Sequence, residues 1–288
     1  MILVTGATGR TGNSAATDLA KRGLPVRALV RNADKAAPLA RAGVQLAMGD
    51  ASDAVAVRNA LRGVKKIAII LPNGERQLAL EKQLADLAAE AGVQQIVKVS
   101  SMEAVAGAHN PVHRAHWESE EHIRSKGIPW TMVRPSFYMQ NFLGLAATIK
   151  ADGKFYFPFG ENGAAVLTDS RDVGAFVAQA LATGGHENRS YDVTSNDSLS
   201  FKQVGELFTQ LLGRPVSYVA QDPIAYKAFL AKFVTSKWHL DAVCDIFAEI
   251  ASGYLAHTTR TFAQIMGREP TALRDFIIEH LALYRPAA

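Results

Sequence analysis

The most informative stretch of the chain begins at Val4 and reads Val4-Thr5-Gly6-Ala7-Thr8-Gly9-Arg10-Thr11-Gly12. It follows a short apolar run that is typical of a strand and precedes an amphipathic stretch that is typical of a helix. In this setting Gly6 allows a sharp turn, Gly9 lets a pyrophosphate approach the backbone, and Gly12 permits close packing of helix on strand. We therefore expect all seven residues from Gly6 to Gly12 to contact a dinucleotide, with a merely structural turn as the alternative.

Working outward from this segment, strands and helices alternate through the first half of the chain. The apolar patterns predict strands at 2–5, 26–30, 44–48, 66–71, 95–99 and 130–134, and helices at 13–22, 34–42, 53–61, 75–91 and 113–126. Strands that alternate with helices at this spacing form right-handed crossovers and a parallel sheet covered on both faces. The sequence predicts an α/β fold with a doubly wound, Rossmann-like parallel sheet.

The pattern loosens from about residue 136. Residues 155–160 read as an aromatic strand or loop, and helices are predicted at 171–182, 201–212, 223–232, 240–251 and 271–283. A further strand is predicted at 189–194. We expect a dinucleotide-binding domain over 1–145 and a smaller, mostly helical substrate-binding or lid region over 146–288. The segments 171–182 and 189–194 are candidates to pack back on the first sheet.

Composition excludes several classes of protein. Of the 288 residues, 48% are hydrophobic, as in an ordinary globular protein. The 31 basic residues are interleaved with 27 acidic ones and form no basic cluster, so we expect no nucleic-acid partner. No apolar run approaches the roughly 18 residues that span a bilayer, and the first residues do not resemble a signal peptide, so we expect no membrane partner. The single cysteine, Cys244, excludes an internal disulfide; we expect it to be buried and the protein to be cytoplasmic.

The end of the second predicted strand bears on which dinucleotide is bound. A site for NAD carries an acidic residue there for the ribose 2′-hydroxyl, whereas this chain has Arg31, with Lys35 one helical turn later and Arg10 in the glycine-rich turn. Cations at these positions suit a 2′-phosphate, because the guanidinium fork matches phosphate geometry. We therefore expect NADPH (NADP) as the cofactor, with solvated surface charges as the alternative.

Two further strand ends are candidate cofactor contacts. Asp50 follows the third strand and could accept a hydrogen bond from the adenine amino group, although a plain surface turn is an equal alternative. Leu71 and Pro72 end the fourth strand at the carboxyl edge, where ligands of such sheets bind.

Beyond the glycine-rich turn and Arg31, four segments carry a resemblance to a known family. They are Gly127-Ile128-Pro129-Trp130-Thr131-Met132-Val133-Arg134-Pro135, Phe137-Tyr138-Met139-Gln140-Asn141-Phe142, Gly185-His186-Glu187-Asn188 and Leu212-Gly213-Arg214-Pro215. Over nearly its whole length the chain resembles the NmrA-like atypical short-chain dehydrogenases. Within that family it is most similar to bacterial NAD(P)H-dependent quinone, azo-dye and triphenylmethane-dye reductases.

Two departures limit what the resemblance implies. None of the seven tyrosines is followed four residues later by lysine, so the Tyr-x-x-x-Lys pair of ordinary short-chain dehydrogenases is missing. His116 stands where the isoflavone-reductase-like relatives have a lysine, which favours the quinone- and dye-reductase branch. Quinones and azo compounds accept hydride without forming a strongly basic alkoxide, so they need no such acid. We expect hydride transfer to a small aromatic or quinonoid acceptor.

The candidate catalytic residues are His116 and Tyr138. His113, His116 and Glu120 share one helix face, so His116 could donate a proton or orient the substrate, with Glu120 fixing its tautomer. A structural histidine is the leading alternative, and a metal site is disfavoured because the spacing matches no zinc signature. Tyr138 could stack on the nicotinamide or donate to an acceptor oxygen, or pack in the core.

Further candidate contacts are less specific. We expect Phe137 to contact the cofactor. Ser100 and Ser101 could also contact it, but without a tyrosine partner we expect no catalytic role for them. The aromatic residues of 155–159, with Phe229, Phe233 and Trp238, either line an aromatic pocket or fill the core.

Taken together, the residues and the resemblance predict an NADPH-dependent oxidoreductase that transfers hydride to a conjugated acceptor such as a quinone or azo compound. The alternative is a non-enzymatic NADP(H)-binding redox sensor of the NmrA type, which would bind the cofactor and turn nothing over. A third possibility is reduction or isomerisation of a specialised metabolite such as an aryl ether. The physiological substrate and the oligomeric state stay open.

Overall fold

The computed structural model describes residues 1–285, and these residues fall into two compact units. Unit 1 comprises Met1–Pro135 and Ser170–Val193, and unit 2 comprises Ser136–Asp169 and the residues from Thr194 onward. The first unit ends earlier than the predicted boundary at residue 145, because the chain leaves the large sheet directly after its sixth strand. The segment 170–193 returns to that sheet.

Unit 1 begins with eleven alternating elements. They are β1 (Ile2–Val4), α1 (Arg10–Lys21), β2 (Val26–Val30), α2 (Ala33–Arg41), β3 (Gln45–Met48), α3 (Ala54–Ala60), β4 (Lys66–Ile69), α4 (Gln77–Glu90), β5 (Gln95–Val99), α5 (Pro111–Arg124) and β6 (Trp130–Pro135). The chain then runs through unit 2 with β7 (Phe137–Tyr138), a 3-10 helix (Met139–Leu145), α6 (Ala146–Asp152), β8 (Lys154–Phe157) and β9 (Ala164–Thr168). It returns to unit 1 as α7 (Ser170–Ala182) and β10 (Arg189–Val193).

The sheet of unit 1 has seven strands in the order β10-β6-β5-β4-β1-β2-β3, and every neighbouring pair is parallel. The predicted doubly wound, Rossmann-like fold is confirmed. The chain reverses direction across the sheet between β1 and β4, and ligands of doubly wound sheets bind at the carboxyl ends of the strands beside such a reversal. The glycine-rich turn follows β1 at this place.

Helix α7 packs closely on α1 within unit 1. The hydroxyl of Ser14 donates to the carbonyl of Arg171 at 2.9 Å. A Cβ added at Gly174 would lie 2.5 Å from Cβ of Ser14 and 2.6 Å from the carbonyl oxygen of Thr11, so only glycine fits there. The helix that carries the glycine-rich turn is thus held from behind by α7.

Unit 2 continues with β11 (Ser198–Ser200), α8 (Phe201–Leu212), β12 (Ser217–Ala220), α9 (Pro223–Leu230), α10 (Lys237–Ala251), α11 (Thr261–Met266), α12 (Leu273–Glu279) and α13 (Leu281–Tyr284). Its strands form a three-stranded sheet in the order β11-β9-β7 and a two-stranded sheet of β12 and β8. The sequence indicated a strand only as one reading of 155–160, which overlaps β8. It missed the other strands of these sheets, because they are only two to five residues long and carry no sustained alternation.

An aromatic cluster fills the core of unit 2. Phe155, Phe157 and Phe159 are buried in it, and the rings of Phe157 and Phe159 stack with centroids 4.5 Å apart. Of the two alternatives left open for residues 155–159, an aromatic pocket or the core, the structure shows the core. By contrast Phe229 and Phe233 are exposed, and Cys244 is partly exposed rather than buried as predicted, because α9 and α10 bury few side chains.

No helix among residues 1–285 is long and apolar enough to cross a membrane. The cytoplasmic location stays a prediction from the sequence.

Candidate cofactor and active site

The glycine-rich turn is built so that two of its three glycines cannot be replaced. Gly6 has a φ of +59°, and a Cβ there would lie 2.1 Å from the carbonyl oxygen of Ile70. At Gly12 a Cβ would lie 2.4 Å from the carbonyl oxygen of Gly6. The hydroxyl of Thr5 donates to the carbonyl of Ala68 at 3.1 Å and fixes the turn against β4. Close packing of turn, helix and sheet thus accounts for Gly6 and Gly12.

Gly9 is different, because among residues 1–285 only one backbone oxygen lies close to where its Cβ would be. Its φ of −81° suits any residue, and a Cβ would meet only the carbonyl oxygen of Gly6, at 3.2 Å. Gly9 is the N-cap of α1, no side chain caps this helix, and its first turn contains no acidic residue. An uncapped helix N-terminus beside an exposed glycine is a ready site for a pyrophosphate. The turn fits a dinucleotide.

Cationic side chains surround this turn at the surface. Arg10 is exposed at the first position of α1, and Lys35 is exposed in the first turn of α2. Arg31 is 81% exposed, and its Nη1 lies 3.4 Å from Oδ2 of Asp50. An exposed ion pair of this kind adds little to stability. Arg31 is thus oriented along the end of β2 while its guanidinium stays accessible to a ligand.

Asp50 has two protein partners. Its Oδ1 accepts hydrogen bonds from the Ser52 amide at 2.8 Å and the Ser52 hydroxyl at 2.6 Å, and its Oδ2 faces Arg31. The bonds from Ser52 hold the pKa of Asp50 below its ordinary value, with smaller contributions from Arg31 and Arg76. Asp50 is therefore an anchor for the turn after β3 and for Arg31, and its contact with adenine stays a prediction.

The end of β4 leads to the opposite side of the glycine-rich turn. Leu71 is half-buried and Pro72 exposed, and Asn73 follows them in the same loop. The side-chain oxygen of Asn73 lies 3.2 Å from Nε2 of His116 on α5. The structure therefore brings two sequence-predicted sites together, the loop after β4 and His116.

A buried charge lies directly behind His116. Lys98, on β5, has no exposed side-chain surface, and its Nζ lies 2.8 Å from Nδ1 of His116 and 3.3 Å from Oε2 of Glu81 on α4. It also donates to the carbonyl of Val99 at 3.2 Å. Burial lowers the pKa of Lys98, and the negative charge of Glu81 opposes that effect. The ammonium group thus has two hydrogen-bond acceptors, Val99 and His116, and a counter-ion in Glu81.

The same surroundings keep His116 neutral. Burial lowers its pKa well below the ordinary value, and the positive charge of Lys98 lowers it further, followed by His113 and Arg134. The amide nitrogen of Gln77 lies 3.1 Å from Nδ1 and 3.2 Å from Nε2. At neutral pH His116 is therefore an uncharged imidazole. It can donate one hydrogen bond and accept another, but it cannot act as a general acid.

Glu120 does not contact His116 as predicted. Its carboxylate accepts from the Ser100 hydroxyl at 2.6 Å and from Nε of Arg134 at 2.9 Å, and it pairs with Arg124 at 2.8 Å. Burial acts to raise the pKa of Glu120, but the bonds from Arg134 and Ser100 outweigh it and hold the pKa below its ordinary value. The expected pairing was wrong because two arginines and a serine occupy both carboxylate oxygens.

Ser101 and His113 both contact Glu103. Ser101 donates to Glu103, and Glu103 lies 3.8 Å from Nε2 of His113. Among residues 1–285 no group of three or more His, Cys, Asp or Glu side chains could hold a metal ion.

Tyr138 and Phe137 form β7 in unit 2, and both are half-buried. The Phe137 ring makes edge contacts with Phe157, Phe159 and Phe201, at centroid distances of 6.2 to 6.4 Å. The ring of Phe137 thus packs in the aromatic core. The predicted roles of Phe137 toward the cofactor and of Tyr138 in catalysis stay predictions.

Sequence reasoning missed Lys98 and Glu81. A signal was present, since Lys98 interrupts the apolar run Gln95–Val99 of a buried parallel strand, where a charge needs a partner. Arg134 breaks β6 in the same way. Which residues pair with these charges depends on how α4 and α5 dock on the sheet, and one sequence does not reveal that.

The fold and this site define a protein of the Rossmann-like class. The model of the NmrA-like family matches residues 1–276, and the chain belongs to that family. It is 35% identical to an NAD(P)H azoreductase of Xenophilus azovorans over 289 residues, which is 100% of both chains.

Two solved structures share the fold throughout. One is an NADPH-dependent quinone oxidoreductase of Escherichia coli complexed with NADPH, with a TM-score of 0.88 at 25% identity over 98% of this chain and 100% of that one. The other is the triphenylmethane reductase of a Citrobacter species complexed with NADP(H), with a TM-score of 0.87 at 25% identity over 97% of this chain and 99% of that one.

Proposed function

We propose that the protein is an NADPH-dependent oxidoreductase that transfers hydride to a conjugated acceptor, of the quinone or azo type. The observation that carries this proposal is the glycine-rich turn, whose exposed Gly9 and uncapped helix lie among Arg10, Arg31 and Lys35. A pyrophosphate fits the turn and a 2′-phosphate fits the cations. The azoreductase relative and the solved structures with NADPH and NADP(H) support the same cofactor.

The bound NADPH supplies the hydride, and the protein positions it and the acceptor. Arg31 binds the 2′-phosphate, while the first amides of α1 bind the pyrophosphate. The loop of Leu71, Pro72 and Asn73 lies at the carboxyl edge, where ligands of doubly wound sheets bind, and it places Asn73 beside Nε2 of His116. His116 is only 4% exposed, so it reaches the acceptor by exchanging its Nε2 contact with Asn73 for one with the acceptor.

The acceptor class follows from the protonation state of the site. The chain lacks the Tyr-x-x-x-Lys pair, and His116 is neutral because burial and Lys98 lower its pKa. Reduction of a plain ketone leaves a strongly basic alkoxide that needs a good acid, and none of these groups is one. A reduced quinone or azo compound carries its charge on a conjugated system and needs only a hydrogen-bond donor. Small aromatic acceptors of this type are therefore the proposed substrates.

A panel of acceptors tests the proposal. Purified protein is mixed with NADPH, and in parallel with NADH, and with quinones, azo dyes, enones, aldehydes and an aliphatic ketone. We expect loss of reduced-nicotinamide absorbance with quinones or azo dyes, faster with NADPH, and none with the ketone. Turnover of the ketone without turnover of any quinone or azo compound would overturn the acceptor class. Tight NADPH binding with no turnover across the panel would identify a redox sensor instead.

A further inference from the structure

The buried pair of Lys98 and Glu81 lies outside the glycine-rich turn, and the free-energy cost of burying two charges calls for an explanation. Both side chains are fully buried, at 3.3 Å from each other, inside the layer between β5 and α4. A buried ion pair of this kind is on average no more stabilising than apolar residues of the same volume. The pair is therefore weak evidence for stability, and its contact with His116 is the feature that distinguishes it.

The contact decides which ring nitrogen of His116 carries the proton. An ammonium group has three N–H donors and no acceptor, so Nδ1 at 2.8 Å from Nζ of Lys98 can only accept. A neutral imidazole that accepts at Nδ1 carries its proton at Nε2. The Gln77 amide nitrogen donates to Oε1 of Glu81 at 3.3 Å and lies 3.1 Å from Nδ1, where it too can only donate, in agreement with an unprotonated Nδ1. The Nε2–H then points to the Asn73 oxygen, at 3.2 Å.

We propose that Lys98 is a positioning residue that locks His116 as the neutral Nε2–H tautomer, and that Glu81 is the counter-ion that keeps Lys98 charged in the core. His116 thereby presents a fixed hydrogen-bond donor at the edge of the sheet where Asn73 lies. The role of this donor rests on the proposed function: when an acceptor binds, the Nε2–H exchanges the Asn73 oxygen for the acceptor atom that becomes negative when hydride arrives. The proton that neutralises this atom then comes from water, and His116 keeps its own.

The charged groups around His116 come from three elements besides its own helix. They are Lys98 on β5, Glu81 on α4 and Arg134 on β6, together with His113 and Glu120 on α5. Glu120 is occupied by Arg134 and Ser100, and His113 lies against Glu103. Of these charged groups, Lys98 is the one within hydrogen-bond distance of the His116 ring, so its removal is the change that should free the tautomer.

The direct test is nitrogen NMR of the histidine rings in the wild-type protein, with His116 assigned by comparison with a His116→Gln variant. We expect an unprotonated Nδ1 and a protonated Nε2 near neutral pH. A proton on Nδ1, or a doubly protonated ring, would overturn the proposal. This measurement needs no turnover, so it holds or fails independently of the proposed function.

A double variant tests the effect on the reaction. Lys98→Met with Glu81→Gln removes both charges together and leaves neither one buried alone. We expect His116 to show a mixture of tautomers, kcat with a quinone to fall about 10-fold, and the acid limb of the kcat profile to move to higher pH. The KM for NADPH stays within about 2-fold, because neither side chain reaches the glycine-rich turn. Lys66→Met, on the neighbouring strand β4, is the matched control and leaves all four measurements unchanged.

Unchanged tautomer and pH profile in a folded double variant would refute the positioning role. If the double variant does not fold, the wild-type spectrum and the Glu81→Gln variant test the proposal instead. In Glu81→Gln, Lys98 keeps its contact with His116 but loses its counter-ion. We expect that variant to shift toward mixed tautomers as pH rises and Lys98 loses its proton. A tautomer that is insensitive to pH in this variant would contradict the role given to Glu81.

Discussion

Replacing Gly9 by alanine should separate cofactor binding from folding. The backbone at Gly9, with φ −81° and ψ 168°, suits alanine, and the new Cβ would meet only the Gly6 carbonyl oxygen, at 3.2 Å. Alanine restricts the unfolded chain, which stabilises by about 0.4–1 kcal/mol, whereas it is a poorer N-cap than glycine by a similar amount. The 3.2 Å contact is tighter than an ordinary one, so the Gly6 carbonyl oxygen must yield slightly. With this strain included, the free energy of unfolding should fall by at most about 1–2 kcal/mol.

Binding of NADPH should suffer more than folding in this variant. The methyl group occupies the surface where a phosphate would approach the first amides of α1, and loss of one charge-assisted hydrogen bond costs about 2 kcal/mol. The Kd for NADPH should rise about 30-fold. Fluorescence titration gives the Kd, and urea unfolding of the cofactor-free protein gives the stability.

Two comparisons make the result decisive. Gly144→Ala, at another open glycine with an ordinary φ, should leave the Kd unchanged and raise the free energy of unfolding by about 0.4–1 kcal/mol. Gly6→Ala should instead destabilise the protein, because its Cβ would lie 2.1 Å from a backbone oxygen at a φ of +59°. An unchanged Kd in Gly9→Ala would refute the pyrophosphate site, and loss of folding there would refute the geometry.

Three further predictions concern Arg31 and His116. Arg31→Ala should raise the Kd for NADPH about 10-fold and leave that for NADH unchanged, since only the former has the 2′-phosphate; an unchanged ratio in titrations would contradict this. His116→Ala should lower kcat with a quinone about 100-fold and His116→Gln much less, because glutamine retains an N–H donor; equal losses in steady-state assays would exclude the donor role. In the folded protein the pKa of His116 lies well below its ordinary value of about 6.5, whereas in the unfolded chain it does not. Below about pH 6.5 the unfolded chain therefore binds one more proton than the folded protein, and the free energy of unfolding falls as pH falls. Between about pH 7 and pH 5.5 wild type should lose about 1 kcal/mol more than His116→Gln in urea unfolding, and parallel losses would show that His116 is not the group responsible.

The sequence predicts the sheet of unit 1 well for a physical reason. Its inner strands are largely buried, so they appear as mainly apolar runs such as Val26–Val30 and Gln95–Val99, and the helices between them have amphipathic faces. The short strands β7, β9 and β11 of unit 2 are stabilised by their neighbours rather than by local pattern. They therefore leave no periodic signal in the sequence.

In the candidate site, too, the local features could be predicted from the sequence and the long-range contacts could not. The glycine-rich turn is local, and its spacing alone indicates the pyrophosphate site. The partners of His116 are not local: Glu120, one helical turn away, was the expected partner, but Lys98 from a neighbouring strand takes that place. Helix spacing fixes which residues share a face, whereas docking on the sheet decides what that face meets.

The central claim is that NADPH bound at the turn reduces a conjugated acceptor, and a single-turnover experiment tests it most directly. Protein loaded with NADPH is mixed rapidly with a quinone, and the absorbance of the reduced nicotinamide is followed. We predict its loss, and a slower loss when the transferable hydrogen at C4 is replaced by deuterium. Bound NADPH that keeps its absorbance in the presence of every quinone and azo dye would contradict the account.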